Sequence, residues 1–298
     1  MTTAQPHDSE PKVAGDRPVD TEAEVNGEHE VDWTWTNDDS AWIPPDIDTA
    51  KPSPARMYDY SLGGKDNFAV DREAVEAVGE IVPEFRAVGM ANRRFLVQAV
   101  ETLSKLGIDQ FVDLGTGIPT SPNVHEVAQQ THPQAKVVYV DNDPIVMAHN
   151  RALRARRPGV LTLDRDMRQP ASVMDDPQVR AHLDFDRPIG LLFIAVLHFV
   201  RRELGVELVK QFCRSVPPGS YLAISTACAD GMESAVIERL EAVYAKSAAP
   251  FVLRSTAQVE QLFDGVDLLE PGVVDVTRWR ANGTPLPMRI LCGIGKVR

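Results

Sequence analysis

Short apolar runs alternate with helical periodicities along most of the chain. Phe111–Leu114, Val137–Val140, Val160–Leu163, Ile189–Ala195 and Tyr221–Ser225 each read as a buried strand. Helical spacing lies between and around them. Asp71 is a plausible N-cap for a helix carrying Ala74, Val75, Val78 and Val82, stopped by Pro83. Phe95, Ala99, Leu103 and Leu106 repeat on one helix face that Gly107 ends. Ser121 can cap the next helix with Pro122 at its first position. Leu204, Leu208, Val209 and Phe212 mark another helix, and Met232, Val236, Leu240 and Val243 one more. Val273–Val276 and Arg289–Ile294 look like two closing strands, arranged as a long antiparallel hairpin around Pro285 and Pro287. Apolar strands alternating with helices imply a parallel α/β sheet covered on both faces.

Composition narrows the class. The 298 residues are 43% hydrophobic and 25% charged, ordinary globular usage that suits one large domain with an appendage. The apolar run Ile189–Leu197 is far short of the roughly 20 residues that span a bilayer, so no membrane partner is expected. Met1–Glu10 lacks the basic and apolar regions of a secretory signal. Cys213, Cys228 and Cys292 are odd in number and widely spaced, which suits buried thiols in a reducing cytoplasm and no metal site.

The net charge of −12 is concentrated in a tail. Residues 1–50 carry thirteen acidic and two basic side chains, whereas the rest of the chain has 30 and 29. The expected division is an acidic, largely disordered tail over 1–50 and a folded domain over 51–298, with disorder strongest over 1–30. Trp33, Trp35 and Trp42 lie in that tail, either docking on the body or forming a partner motif. No basic stripe points to nucleic acid. The oligomeric state is not legible.

The stretch Phe111-Val-Asp-Leu-Gly-Thr-Gly-Ile-Pro-Thr120 runs a buried strand into Gly115-Thr116-Gly117. Such glycines either make a tight strand-to-helix turn or let a ligand approach the main chain. Asp141 ends the next strand, where an acid can accept hydrogen bonds from ribose hydroxyls, and Asn142 and Asp143 follow it. Asp166 and Met167 follow the third strand, where an adenine would lie. Asp113, inside the first strand, separates two ligands. An anion there would repel a pyrophosphate but attract the ammonium and sulfonium of S-adenosylmethionine. Pro119 and Thr120 also stand in the third-glycine region of a dinucleotide fingerprint. A nicotinamide oxidoreductase is therefore disfavoured.

Asp113-Leu-Gly-Thr-Gly117, Asp141 and Asp166 resemble the class I S-adenosylmethionine methyltransferases. More narrowly, the chain resembles an actinobacterial methyltransferase family long described as a domain of unknown function. The resemblance rests on Pro52–Phe68, Ala91–Phe95, Asn123–Ala128, Tyr139–Pro144, Ala195–Val200, Pro217–Tyr221 and Glu270–Val274, and it covers roughly residues 51–298. It implies a Rossmann-like seven-stranded sheet, mostly parallel with an antiparallel last strand, and bound S-adenosylmethionine. By position, Asp113, Gly115, Thr116 and Gly117 would hold the methionine part, Asp141 with Asn142 and Asp143 the ribose, and Asp166 with Met167 the adenine. Pro119 departs from the class pattern, where a glycine is usual.

The resemblance leaves the methyl acceptor open; a small molecule is expected, since no second recognition domain is evident. A non-catalytic protein that binds S-adenosylmethionine or its demethylated product would share every cofactor residue. His198, after the fourth strand, is either a general base or a packing histidine. His125 is expected to be structural. Tyr58–Phe68, with Tyr58, Gly63-Gly64 and Asn67, is either a lid that brings Tyr58 in as a catalytic candidate and Asn67 to the cofactor, or a docked helix and turn. The lid is the reading preferred on sequence. Arg86, Asn92 and Arg93 are candidate lid partners or anion contacts.

Overall fold

The computed structural model describes residues 48–153 and 157–298. The acidic segment with Trp33, Trp35 and Trp42 lies outside the described residues. The strands are β1 (Gln110–Leu114), β2 (Lys136–Asp141), β3 (Val160–Asp164), β4 (Gly190–Ile194), β5 (Tyr221–Cys228), β6 (Val266–Leu268), β7 (Val274–Asp275) and β8 (Arg289–Val297). They form one sheet in the order β3-β2-β1-β4-β5-β8-β6, with β7 pairing β8 beside this path. The first five run parallel, and β8 is antiparallel to β5, β6 and β7. The expected sheet is present: seven strands lie on the path, and the hairpin read near the C-terminus is the β7–β8 pair.

Period-two alternation splits the core. Phe111, Val137, Tyr139 and Leu192 face one apolar layer; Val112, Val138, Val140, Leu191 and Phe193 face the other. The first layer is covered by α1 (Pro54–Ser61), α2 (Ala69–Ile81), α3 (Phe85–Lys105), α4 (Val124–Thr131) and, further along, α9 (Ser234–Tyr244). The second is covered by α6 (Pro170–Met174), α7 (Pro177–His182), α8 (Arg202–Arg214) and α10 (Thr256–Glu260). Between them in sequence, α5 (Pro144–Leu153) packs Ile145 and Val146 against Ile118. No helix among the described residues is long and apolar enough to cross a membrane.

Two helix starts differ from expectation. Phe68, not Asp71, is the N-cap of α2; Asp71 lies inside the first turn, and its Oδ2 accepts from the Phe68 N–H at 2.8 Å. Asp71 is fully buried and also receives Arg56, a contact that an N-cap position would not reach. Likewise α4 starts at Val124 behind Asn123, not at Pro122; Glu126 accepts from the Asn123 N–H at 2.6 Å in a capping box.

The chain moves from β1 to β2 on one side and later to β4 on the other. This switch point opens a crevice beyond the carboxyl ends of the strands, where open α/β sheets take ligands.

Candidate active site

A cavity of about 460 Å³ fills that crevice. This is within the roughly 300–1,000 Å³ usual for small-molecule sites. One half lies over β1, β2 and β3. Here Gly115 and Gly117 turn the chain with φ of +69° and +65°. A Cβ on Gly115 would fall 2.2 Å from Val196 Cγ2, whereas one on Gly117 would meet nothing within 4 Å. The first glycine therefore permits packing against the end of β4, and the second leaves bare main chain facing the cavity.

Asp141 joins this turn to the end of β2. Its Oδ2 accepts from the Gly117 N–H at 2.9 Å and its Oδ1 from the Asp143 N–H at 3.0 Å. Enclosure in the cavity wall outweighs these bonds and pushes the carboxyl up to about 6. Asp113, Thr116, Asn142 and Met167 also line the cavity, and Asp113 is buried. Asp166 lines it while chelated by Arg168, with Nε–Oδ1 at 2.9 Å and Nη2–Oδ2 at 2.6 Å. The Arg168 hydrogen bonds hold Asp166 below the usual carboxylate range.

Asp143 is already committed. Its Oδ1 accepts from the Ile145 N–H at 2.9 Å, starting α5, and its Oδ2 accepts from Ser53 Oγ at 2.6 Å. The structure thus makes it a helix start and a tether, while it lines the same cavity beside Asp141.

The tether belongs to a strap over the cavity mouth. The Ser53 hydroxyl reaches Asp143 on one rim, while Pro52 O accepts from the Ala248 N–H at 3.0 Å on the other. Arg56 locks the strap: Nε donates to Asp71 Oδ2 at 2.7 Å, with both side chains buried. Of the segment expected as a lid, Tyr58–Phe68, only Tyr58 lines the cavity in this structure. The cavity is lined by Ser53–Arg56 and Tyr58, but not by the glycine pair or Asn67. Asn67 Nδ2 donates to Asp59 Oδ2 at 2.9 Å and to Gly64 O at 3.1 Å, so its amide holds the turn after α1 rather than a ligand. Asp59 takes the space a Gly64 Cβ would need, which accounts for the second glycine.

Tyr58 does reach the cavity, but both capacities of its hydroxyl are used. It donates to Gly89 O at 3.2 Å and accepts from Asn92 Nδ2 at 2.9 Å. Burial raises the phenol above its ordinary range. Asn92 Oδ1 in turn accepts from Ser225 Oγ at 2.6 Å. Ser225 Oγ accepts from the N–H of Ala195, which ends β4 at a left-handed φ of +54°. The network fixes the backbone where the two halves of the cavity meet.

His198 lies in the other half, over β4 and β5. Its Nδ1 accepts from the Ala227 N–H at 3.3 Å, so the proton of the neutral ring sits on Nε2. Burial, helped by nearby Arg254, pushes it down to about 3. His198 thus lines the cavity as a neutral ring, with Nδ1 engaged by the main chain. His125 is structural: it lies outside the cavity, with Nδ1 2.8 Å from the Tyr139 hydroxyl. Arg93 binds Thr120 O at 2.6 Å and Pro122 O at 2.8 Å, fixing the loop after the glycine turn. Arg86 stays on the surface over the Tyr60 ring.

Sequence reasoning missed Arg165 and Arg168 at the rim, Ser225, and the rings packed around His198. Arg168 was findable as a charge two residues from Asp166. Ser225 lies 133 residues from Asn92 and carries no local signal.

The reversed strand order, glycine turn and strand-end acids define a class I methyltransferase fold. A family model described as S-adenosyl methyltransferase matches residues 40–296, and the chain belongs to that family. It is similar to a crystal structure of a DUF574 family protein from Streptomyces avermitilis, at 39% identity over 84% of this chain and 99% of that one, with a TM-score of 0.80. It is also similar to a candidate methyltransferase from Thermobifida fusca, at 35% identity over 87% and 100% of the two chains, with a TM-score of 0.79. Comparison with curated proteins finds no match.

Proposed function

We propose that this protein transfers a methyl group from S-adenosylmethionine to a small-molecule acceptor. The observation that carries the reading is the Asp141–Gly117 hydrogen bond, which presents a carboxylate and bare main chain together to one cavity. The donor set fits the cofactor. Asp141 would accept from the ribose hydroxyls, Gly115–Gly117 and Asp113 would hold the amino-acid part, and Asn142, Asp166 and Met167 would border the adenine. Asp113 supports this ligand over a dinucleotide, because an acid buried in the cavity wall disfavours a pyrophosphate beside it.

When bound, S-adenosylmethionine supplies a methyl group already activated by the sulfonium charge. The chain's own contribution is position: a fixed glycine turn, a strap across the mouth and a rigid β4 end can hold two reactants in line and keep water out. His198 and Tyr58 hold the wall in shape and move no proton, because their hydrogen-bonding capacities toward a reacting proton are already used. Competition binding tests the cofactor assignment. S-adenosylhomocysteine is expected to bind and NADH is not; tighter binding of NADH would overturn it. Release of S-adenosylhomocysteine on adding an acceptor would separate an enzyme from a non-catalytic binder.

A further inference from the structure

The two halves of the cavity differ in charge. The half over β1, β2 and β3 carries Asp113, Asp141, Asp143, Arg165, Asp166 and Arg168. The half over β4, β5 and β8 is lined by His198, Phe199, Tyr244, Phe251, Met288 and Ile290, with small neighbours such as Ala227 and Ala249. None of these named side chains carries a formal charge, and the further charged lining residues Asp48, Lys51, Arg56 and Arg93 come from the strap and α3. His198 is held neutral, and a charged ligand group entering here would lose its water without gaining a counter-ion.

The same wall is aromatic and organised before any ligand arrives. Tyr244 stacks on Phe251 with centroids 4.5 Å apart and planes 16° apart. His198 meets Phe199 at 4.5 Å and Phe251 at 5.2 Å, both edge-on. Phe199 closes the group at 6.1 Å from both Tyr244 and Phe251. Offset and edge-on contacts of this kind favour a further ring, and the wall pays no ordering entropy to accept one. Arg254 lies buried behind the turn, donating to Leu197 O at 2.7 Å and Val200 O at 2.9 Å. Its charge disfavours a cation on the cavity side.

We propose that this half is the acceptor site and that it takes a small, uncharged aromatic molecule. The proposal rests on the methyltransferase reading above, which assigns the charged half to the cofactor. A cavity of about 460 Å³ shared with the methyl donor leaves room only for a small acceptor.

The test is calorimetric, on the full chain saturated with S-adenosylhomocysteine. The probes are 1-naphthol, 1-naphthoate and 1-naphthylmethylammonium, which share a ring system and differ in charge. The expected result is binding of 1-naphthol at least tenfold tighter than either ion. Ala249→Phe, which fills this half from its rim, is expected to weaken naphthol at least tenfold and to leave S-adenosylhomocysteine affinity unchanged. Tyr244→Phe keeps the ring and should retain naphthol binding. If either ion binds as tightly as naphthol, or Ala249→Phe leaves naphthol affinity intact, the proposal fails. S-adenosylhomocysteine binding without naphthol binding overturns this proposal alone; no binding of S-adenosylhomocysteine overturns the cofactor reading and this proposal with it.

Discussion

Asp141 Oδ2 accepts a hydrogen bond from the Gly117 N–H at 2.9 Å, so the acid ending β2 and the turn after β1 form one unit. The unit is costly when empty, because enclosure raises the Asp141 carboxyl to about 6. The contribution of such a group to stability is full below its unfolded value near 3.8 and is lost as pH rises through about 6. Ribose hydroxyls donate to the ionised form, so binding should release a proton in acid. S-adenosylhomocysteine affinity is expected to fall up to about tenfold per unit below pH 6. Titrations from pH 5 to 8 check this, and Asp141→Ala should flatten the profile.

The opposite sign holds for His198, a base whose folded value is lowered from 6.5 to about 3 by burial. Its contribution is present above 6.5 and is lost as pH falls, because the unfolded chain gains the proton first. Between pH 7.5 and 5 this one group should cost about 2 kcal/mol of stability. Urea unfolding at the two pH values measures it. His198→Asn, which can still accept from the Ala227 N–H, should reduce the difference by that amount.

The buried Arg56–Asp71 pair holds the strap, so Asp71→Ala should destabilise the protein by about 3–5 kcal/mol by stranding a buried cation. Replacing both residues by leucine should cost less than the two single changes added together. Denaturant unfolding of Arg56→Leu, Asp71→Leu and the double variant gives the coupling.

Gly115 and Gly117 share a left-handed backbone but not surroundings. Alanine at either meets a backbone penalty of about 1–2 kcal/mol. Gly115→Ala also collides with Val196 and should lose clearly more stability. Gly117→Ala has room in the folded protein and should chiefly lower S-adenosylhomocysteine affinity. Paired melting and binding measurements separate the two effects.

β1, β2, β4 and β5 were legible because each buries residues on both faces and so reads as a mostly apolar run, and the edge strand β3 because Val160, Leu161 and Leu163 stand together. β6 was not: of Val266–Leu268 only Val266 is buried, which leaves no pattern in three residues. The N-terminal α2 was found but misaligned, because an acid near a helix start fits either the cap or the third position, and only the distant Arg56 decides. In the site, the positions of Asp113, Asp141 and the glycines on one cavity were legible because they lie at or beside strand ends. The partners of Asn67 and Asp143 were not, since they are Asp59 and Ser53, and Ser53 lies 90 residues from Asp143. The strap was sought in the conspicuous glycine pair, yet the segment that spans the cavity is the plainer Pro52–Arg56. Long-range partners decide these cases, and local composition carries no trace of them.

In the proposed function, Asp141 and the glycine turn hold S-adenosylmethionine. Calorimetric titration of S-adenosylhomocysteine into the wild-type chain and into Asp141→Ala at pH 7.5 tests it most directly. Hydrogen bonds to a charged group are worth about 1.5–3 kcal/mol each, so losing two should weaken binding by roughly a hundredfold or more. One site is expected in the wild type and that loss in the variant; equal affinity in the two proteins would overturn the assignment of Asp141.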